Sequence, residues 1–222
     1  MRIEAVIFDL DDLLIESERV WSEAKEQLVR ERGGTWRSGA CRTMMGMSSR
    51  EWSRYLRDEL GVAMAPHEIS DAVVERVAES YKQRLPLLPG AREAVTLLAD
   101  RWPLGVASSS NRPIIELVLD LADFRRFFAA VVSSEEVAHG KPAPDVYLEA
   151  ARRLGADPSR CVAVEDSSNG LRSAEAAGMA VVAIPNRDFP PAEDALSRAA
   201  VVIASLVQLR PELLDELRVA RT

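Results

Sequence analysis

The chain has 222 residues, 47% of them hydrophobic and 28% charged, which is enough apolar material for a large buried core and outside the range of disordered chains. Twenty-eight Lys and Arg against thirty-five Asp and Glu leave a net charge of −7, a balance that argues against nucleic acid or an anionic membrane as a partner. A small anionic substrate stays open, because one metal ion or a few placed cations reverse the local sign.

Two cysteines, Cys41 and Cys161, stand far apart with no C-x-x-C pair, the usage expected in a reducing cytoplasm. The apolar run from Ile3 to Phe8 is too short for a signal peptide, and no run approaches the roughly 18 apolar residues of a spanning helix. The expectation is a soluble cytoplasmic protein.

In chain order, Ile3 to Phe8 reads as a buried parallel strand that ends abruptly in Asp9-Leu10-Asp11-Asp12. Helical patterning follows over Ser17 to Arg32, Ser49 to Leu60 and His67 to about Arg84, interrupted by Gly33-Gly34 and Gly61. Beyond Pro89-Gly90 the texture changes. Strand-like runs at Leu104 to Ala107, Ala129 to Ser133, Cys161 to Val164, Ala180 to Ile184 and Ala200 to Ile203 alternate with helices at Ala91 to Ala99, Pro113 to Leu121, Pro144 to Leu154 and Gly170 to Ala177. Such alternation specifies βαβ units, hence an α/β fold with a parallel sheet flanked by helices. One strand before a helical block and five after it place an α-helical insertion in that core. The expected division is a core of residues 1–16 and 87–222 with a helical cap of residues 17–86.

Open parallel sheets bind ligands beyond the carboxyl ends of their strands. Asp9 and Asp11, then Ser108-Ser109-Ser110-Asn111, then Gly140-Lys141-Pro142, then Glu165-Asp166 all fall at that edge. Oxygen ligands of high negative charge suit Mg²⁺, while hydroxyls, N–H groups and one ammonium suit a phosphoryl group. Each piece also has a plainer reading: turn or helix caps for the acidic residues and serines, a solvated loop residue for Lys141. Their coincidence at one edge favours the shared one.

These motifs resemble those of the haloacid dehalogenase-like hydrolase superfamily, in the branch of β-phosphoglucomutases and capped small-molecule phosphatases. The match runs through Phe8-Asp9-Leu10-Asp11, Val106-Ala107-Ser108, Gly140-Lys141-Pro142 and Val164-Glu165-Asp166-Ser167 and covers essentially the whole chain. The resemblance implies a Rossmann-like core, Asp9 as nucleophile through an aspartyl-phosphate, and Asp11 as general acid then base. It implies Ser108 and Lys141 on the phosphoryl oxygens, with Asp9, Asp11 through its carbonyl, Glu165 and Asp166 around Mg²⁺. Asp11 favours P–O chemistry over dehalogenation. Two departures stand out: Asp12 occupies the place of the family's usual glycine, and Glu16 stands where Asp or Asn is common.

The stretch from Met45 to Glu51 resembles the family's specificity loop, which makes Arg50 a candidate substrate contact; Ser109 and Ser110, beside Ser108 at the sheet edge, are two more. Trp21 and Trp52 are either cleft residues or packing. A mutase would need a second cation in the cap; a rough alignment puts Val77 at that place, with Lys82 nearby. The expectation is therefore a phosphatase acting on a sugar or polyol phosphate, with a phosphomutase second and a non-catalytic phospho-ligand sensor as the alternative of another class. His67 and His139 lack partners for a zinc site. The motifs carry no signal for an oligomeric state.

Overall fold

A computed structural model describes residues 3–44 and 47–219. Strands β1 (Ala5–Phe8), β2 (Leu104–Ser108), β3 (Phe128–Ser133), β4 (Cys161–Glu165), β5 (Ala180–Ala183) and β6 (Val201–Val202) form one sheet in the order β3-β2-β1-β4-β5-β6. Every pairing is parallel, with Val6 opposite Leu104 on one side of β1 and Ala5 opposite Cys161 on the other. The order reverses on either side of β1, so the crevice of a Rossmann-like α/β fold opens beyond its carboxyl end.

The strands alternate between two cores, as a period of two demands. Val6, Phe8, Val106, Val164 and Val182 face one, and Ala5, Ile7, Ala107, Ala163 and Ala183 the other. The second face is built largely of alanine. Small side chains there let α7 (Asp145–Leu154) and α8 (Ser168–Ala176) settle close to the strands through Val146, Ala150 and Ala174. The first face meets α5 (Ala91–Ala99) and α6 (Arg112–Leu121). Gly90, before α5, has φ +86° and lies where a Cβ would stand 2.7 Å from the Val207 backbone nitrogen, so both conformation and space call for glycine.

Between β1 and α5 come four helices: α1 (Glu18–Glu31), α2 (Ala40–Met44), α3 (Ser49–Asp58) and α4 (Pro66–Gln83). Trp21, Leu28, Trp52, Leu56, Ile69, Val73, Val77 and Tyr81 are buried among them in an apolar cluster continuous with the first sheet face. Two of the helices start on a glutamate that reaches back to the N-cap N–H. Glu51 accepts from the Ser48 N–H at 2.7 Å, and Glu68 from the Ala65 N–H at 2.9 Å beside Pro66.

Strand and helix bounds agree with the sequence reading to within two residues. Three helices escaped it: α2, α9 (Glu193–Leu196) and α10 (Pro211–Val219). The first two run five and four residues, too short for helical periodicity to register. No described helix is long and apolar enough to cross a membrane.

The alanine face sets a test of packing. Ala163 is fully buried, so Ala163→Leu should lower stability by about 1–3 kcal/mol, whereas Val202→Ala, at a position 52% exposed, should change it by less than about 0.5 kcal/mol. Urea denaturation midpoints of the two variants check this.

Candidate active site

Asp9 leaves the end of β1 and is fixed there by its backbone N–H, which donates to the Val164 carbonyl of β4 at 3.0 Å. Lys141 arrives from the loop after β3. Its ammonium donates to Asp9 Oδ1 at 2.7 Å and to Glu165 Oε1 at 2.6 Å, with the lysine side chain only 4% exposed. Tyr147 of α7 donates its hydroxyl to the same Glu165 oxygen at 2.7 Å, and its ring lies 5.1 Å from the Lys141 nitrogen. The other Glu165 oxygen accepts from the N–H groups of Asp166 and Ser167 and from the Ser167 hydroxyl. Glu165 is thus saturated with protein donors.

Asp11 follows on the same turn. Ser108, at the end of β2, donates its hydroxyl to Asp11 Oδ2 at 3.0 Å and accepts the Ser110 N–H at 2.9 Å. Asp11 Oδ1 and Asp166 Oδ1 are buried without a hydrogen-bond partner. Burial pushes Asp9 up to about 8 against the pull of Lys141, and the charges of Glu165 and Asp11 add to the rise. Asp166 is driven well above the usual carboxylate range by burial and then by Glu165 and Asp9. Burial draws the Lys141 ammonium down, yet Asp9 and Glu165 together hold it above an ordinary lysine.

Oxygen atoms of Asp9, Glu165 and Asp166 lie within 4.8 Å of one another, and two orphaned carboxylate oxygens point to a missing positive charge. A hard divalent cation fits this donor set. It would reverse the forces that favour protonation.

Asp12 explains itself. Its φ of +56° is the left-handed conformation that a glycine would adopt freely and that Asp tolerates. What Asp gains is a cap: its Oδ1 accepts from the Ser17 N–H at 2.8 Å and the Glu18 N–H at 3.0 Å, the start of α1. Burial raises its carboxyl to about 6, opposed by those two N–H bonds.

Around these groups lies a cavity of about 550 Å³. Asp9, Asp11, Asp12, Lys141 and Asp166 line it, as do Ser109 and Ser110. Ser108 does not line it; its hydroxyl is spent on Asp11. The opposite wall comes from the helices, with Trp21, Lys25, Arg42, Met44, Met47 and Ser49. Ser49 at the start of α3 donates to Asn111 Oδ1 at 3.1 Å, and Asn111 in turn donates to Glu135 at 2.6 Å. The two walls are thus joined by a hydrogen bond across the cavity mouth.

The model of the haloacid dehalogenase-like hydrolase family matches residues 3–178. The chain belongs to that family. It is 36% identical over 201 residues to hexitol phosphatase B of Escherichia coli K12, a match covering 83% of this chain and 84% of the relative. Among solved structures, CbbY from Rhodobacter sphaeroides in complex with phosphate superposes with a TM-score of 0.86 at 28% identity, covering 96% of this chain and 99% of that one. β-Phosphoglucomutase from Clostridium difficile shares the fold, with a TM-score of 0.84 at 21% identity over 99% and 98% of the two chains. Within the haloacid dehalogenase-like hydrolases, this chain is a phosphatase of the β-phosphoglucomutase and small-molecule phosphatase branch.

The structure redraws the sequence-derived inventory for this hydrolase at several points. Arg50 is exposed on α3 and outside the cavity lining, because the lining face of that helix start is given to Ser49. Met45 and Gly46 of the same loop lie outside the described residues. Val77 is buried in the helical core, and Lys82 pairs with Glu79 at the surface. A lysine does line the helical wall of the cavity: Lys25, on α1. Its signal was present in the apolar stripe Trp21, Ala24, Lys25, Leu28, Val29, where a lysine holds a core position. Tyr147 was equally legible as a buried tyrosine in need of a partner for its hydroxyl.

Gly170 bears on the Glu165 cluster directly, since a Cβ there would lie 1.8 Å from a Glu165 carboxylate oxygen. Gly170→Ala should displace Glu165 from Lys141 and cost about 2–4 kcal/mol. Thermal denaturation of the metal-free protein measures it.

Proposed function

We propose that the protein hydrolyses a small phosphomonoester, a sugar or polyol phosphate, through a phosphorylated Asp9, with Mg²⁺ as cofactor. One observation carries the reading: a buried ammonium clamps Asp9 at 2.7 Å beside carboxylates with orphaned oxygens, at the floor of a cavity sized for a small metabolite. The similarity to a hexitol phosphatase supports the substrate class. Residues 17–86 serve as a cap over a core of residues 1–16 and 87–222.

In the first step Asp9 attacks phosphorus. Lys141 occupies its Oδ1, and no described hydrogen bond engages Oδ2, which leaves that oxygen for attack. As the Oδ–P bond forms, the bond from phosphorus to the ester oxygen breaks, and Asp11 delivers a proton to the departing alkoxide. In the second step Asp11 takes a proton from water, the water oxygen bonds to phosphorus, and Asp9 departs. Ser108 orients Asp11 through Oδ2, which leaves the unpartnered Oδ1 to carry the proton. The Ser109 N–H and the hydroxyls of Ser109 and Ser110 line the cavity as donors for phosphoryl oxygens, the Ser110 N–H being held by Ser108. Asp9, Asp166 and the Asp11 carbonyl would hold Mg²⁺, while the saturated Glu165 serves to fix Lys141. When bound, the ion supplies positive charge that offsets repulsion between an anionic nucleophile and an anionic phosphate. The Ser49–Asn111 hydrogen bond joins the helical wall to the sheet edge above these groups.

A phosphomutase is the second reading, favoured by one observation. Lys25 and Arg42 line the helical wall, so cations are available there after all. Interconversion of β-glucose 1-phosphate and glucose 6-phosphate in the presence of glucose 1,6-bisphosphate, faster than phosphate release, would establish it.

Phosphate release from sugar, polyol and nucleotide monophosphates with Mg²⁺ tests the main reading. Asp9→Asn should lower turnover at least about 10³-fold while the circular dichroism spectrum is kept. EDTA should abolish activity and added Mg²⁺ restore it; full activity in EDTA contradicts the metal assignment.

A further inference from the structure

Lys25 has no role in the chemistry just described, yet its surroundings are unusual for a lysine. It lies on the buried face of α1 and is only 6% exposed. The ammonium sits 5.6 Å from the ring centre of Trp21 and 5.2 Å from that of Trp52, two rings packed edge to face at 6.2 Å. Among the described residues it makes no hydrogen bond and no ion pair. Glu18 is on the same helix and its charge is felt at Lys25, but its carboxylate accepts the Cys41 thiol at 3.0 Å and stays beyond ion-pair distance. The remaining groups acting on Lys25 are the Cys41 thiol and the more distant Asp11.

An ammonium withdrawn from water keeps three donors that the aromatic faces only partly compensate. Packing does not require it, since a methionine of similar shape suits an apolar stripe without that cost. Lys25 also lines the cavity that holds Asp9, Asp11 and Lys141, and it does so from the helical wall. Lys141 is committed to Asp9 and Glu165 at the floor. A substrate whose phosphate meets Asp9 therefore presents its far end to the wall that carries Lys25, with Arg42 at the rim.

Resting on the phosphatase reading above, we propose that Lys25 is a specificity-determining residue that receives a second anionic group at the far end of the substrate. Within the sugar and polyol phosphate class, the preferred esters are then those that carry a second anionic group, sugar-acid phosphates or bisphosphates, over their neutral counterparts. The aromatic pair contributes by excluding water around the ammonium, which strengthens its attraction for an anion that fills the site.

Matched probes isolate the charge. Sorbitol 6-phosphate and 6-phosphogluconate share one carbon chain and differ at the far end as CH₂OH and carboxylate. Fructose 6-phosphate and fructose 1,6-bisphosphate test whether a second phosphate serves instead. In the Mg²⁺-loaded wild-type protein, kcat/KM should favour a charged member over its neutral partner by at least about tenfold. Lys25→Met should shrink that ratio by about tenfold through KM, and Lys25→Arg should restore part of it. Loss of both activities in equal proportion would mark a merely structural lysine and overturn the proposal.

Binding of the same four compounds to Asp9→Asn, followed by calorimetry, gives the ratio without turnover and with Lys25 intact. Equal affinities within both pairs, including no measurable binding of any member, overturn the proposal. A clear charge preference in binding, joined to phosphate release that survives Asp9→Asn, would instead sink the Asp9 mechanism and leave the role of Lys25 standing.

Discussion

A single ammonium holds this site together. Asp9, Glu165 and Asp166 end two adjacent strands, and the sheet order forces their carboxylates into one small buried volume. Unopposed, three such charges would repel and take up protons. Lys141 bridges two of them from a loop that leaves the sheet two strands away, at 2.7 and 2.6 Å. Tyr147 and the turn around Ser167 then complete the shell of Glu165, so the lysine is aimed from behind by a carboxylate with no freedom to move. The ion pair costs desolvation on both sides, and its geometry serves chemistry more than stability. One lysine cannot balance every carboxylate present, and the remaining deficit is visible in the orphaned oxygens of Asp11 and Asp166.

A second constraint ties the catalytic turn to the helices. Asp12, next to Asp11, uses its carboxylate to cap the start of α1. The turn that carries Asp9 and Asp11 is therefore coupled to the element that carries Lys25. On the far side of the cavity, Ser49 meets Asn111 at the start of α6. These two joints, one at the hinge and one at the mouth, fix how the helical wall faces the floor.

Much of this was legible in the residues. Strands buried on both faces announce the parallel sheet, and their carboxyl ends collect Asp9, Asp11, Lys141 and Asp166 in the sequence alone. The resemblance to a family supplied roles that spacing alone left open. Two kinds of feature stayed hidden. Glu165 reads as a metal ligand and lies with Asp9 and Asp166 in the acidic cluster, but residue type says nothing of how many protein donors surround it. Ser108 similarly read as a phosphate contact, but the fold turns its hydroxyl to Asp11. A lysine among glutamates reads as solvated, yet the place of Lys25 in the stripe with Trp21 and Leu28 marks it as inward. Arg50 carried the opposite error: a motif position suggested the cleft, and the helix start turned Ser49 there instead.

The claim on which everything rests is that Lys141 prepares Asp9 to take the phosphoryl group. Acyl phosphates are reduced by borohydride to the alcohol, which converts a phosphorylated aspartate to homoserine. The protein, mixed with Mg²⁺ and a turning-over phosphomonoester, quenched with borohydride and digested, is examined by mass spectrometry of the peptide that contains residue 9. The account predicts homoserine at position 9, dependent on substrate and absent in Lys141→Met. Phosphate release without modification at Asp9, or with modification at another carboxylate, would contradict it.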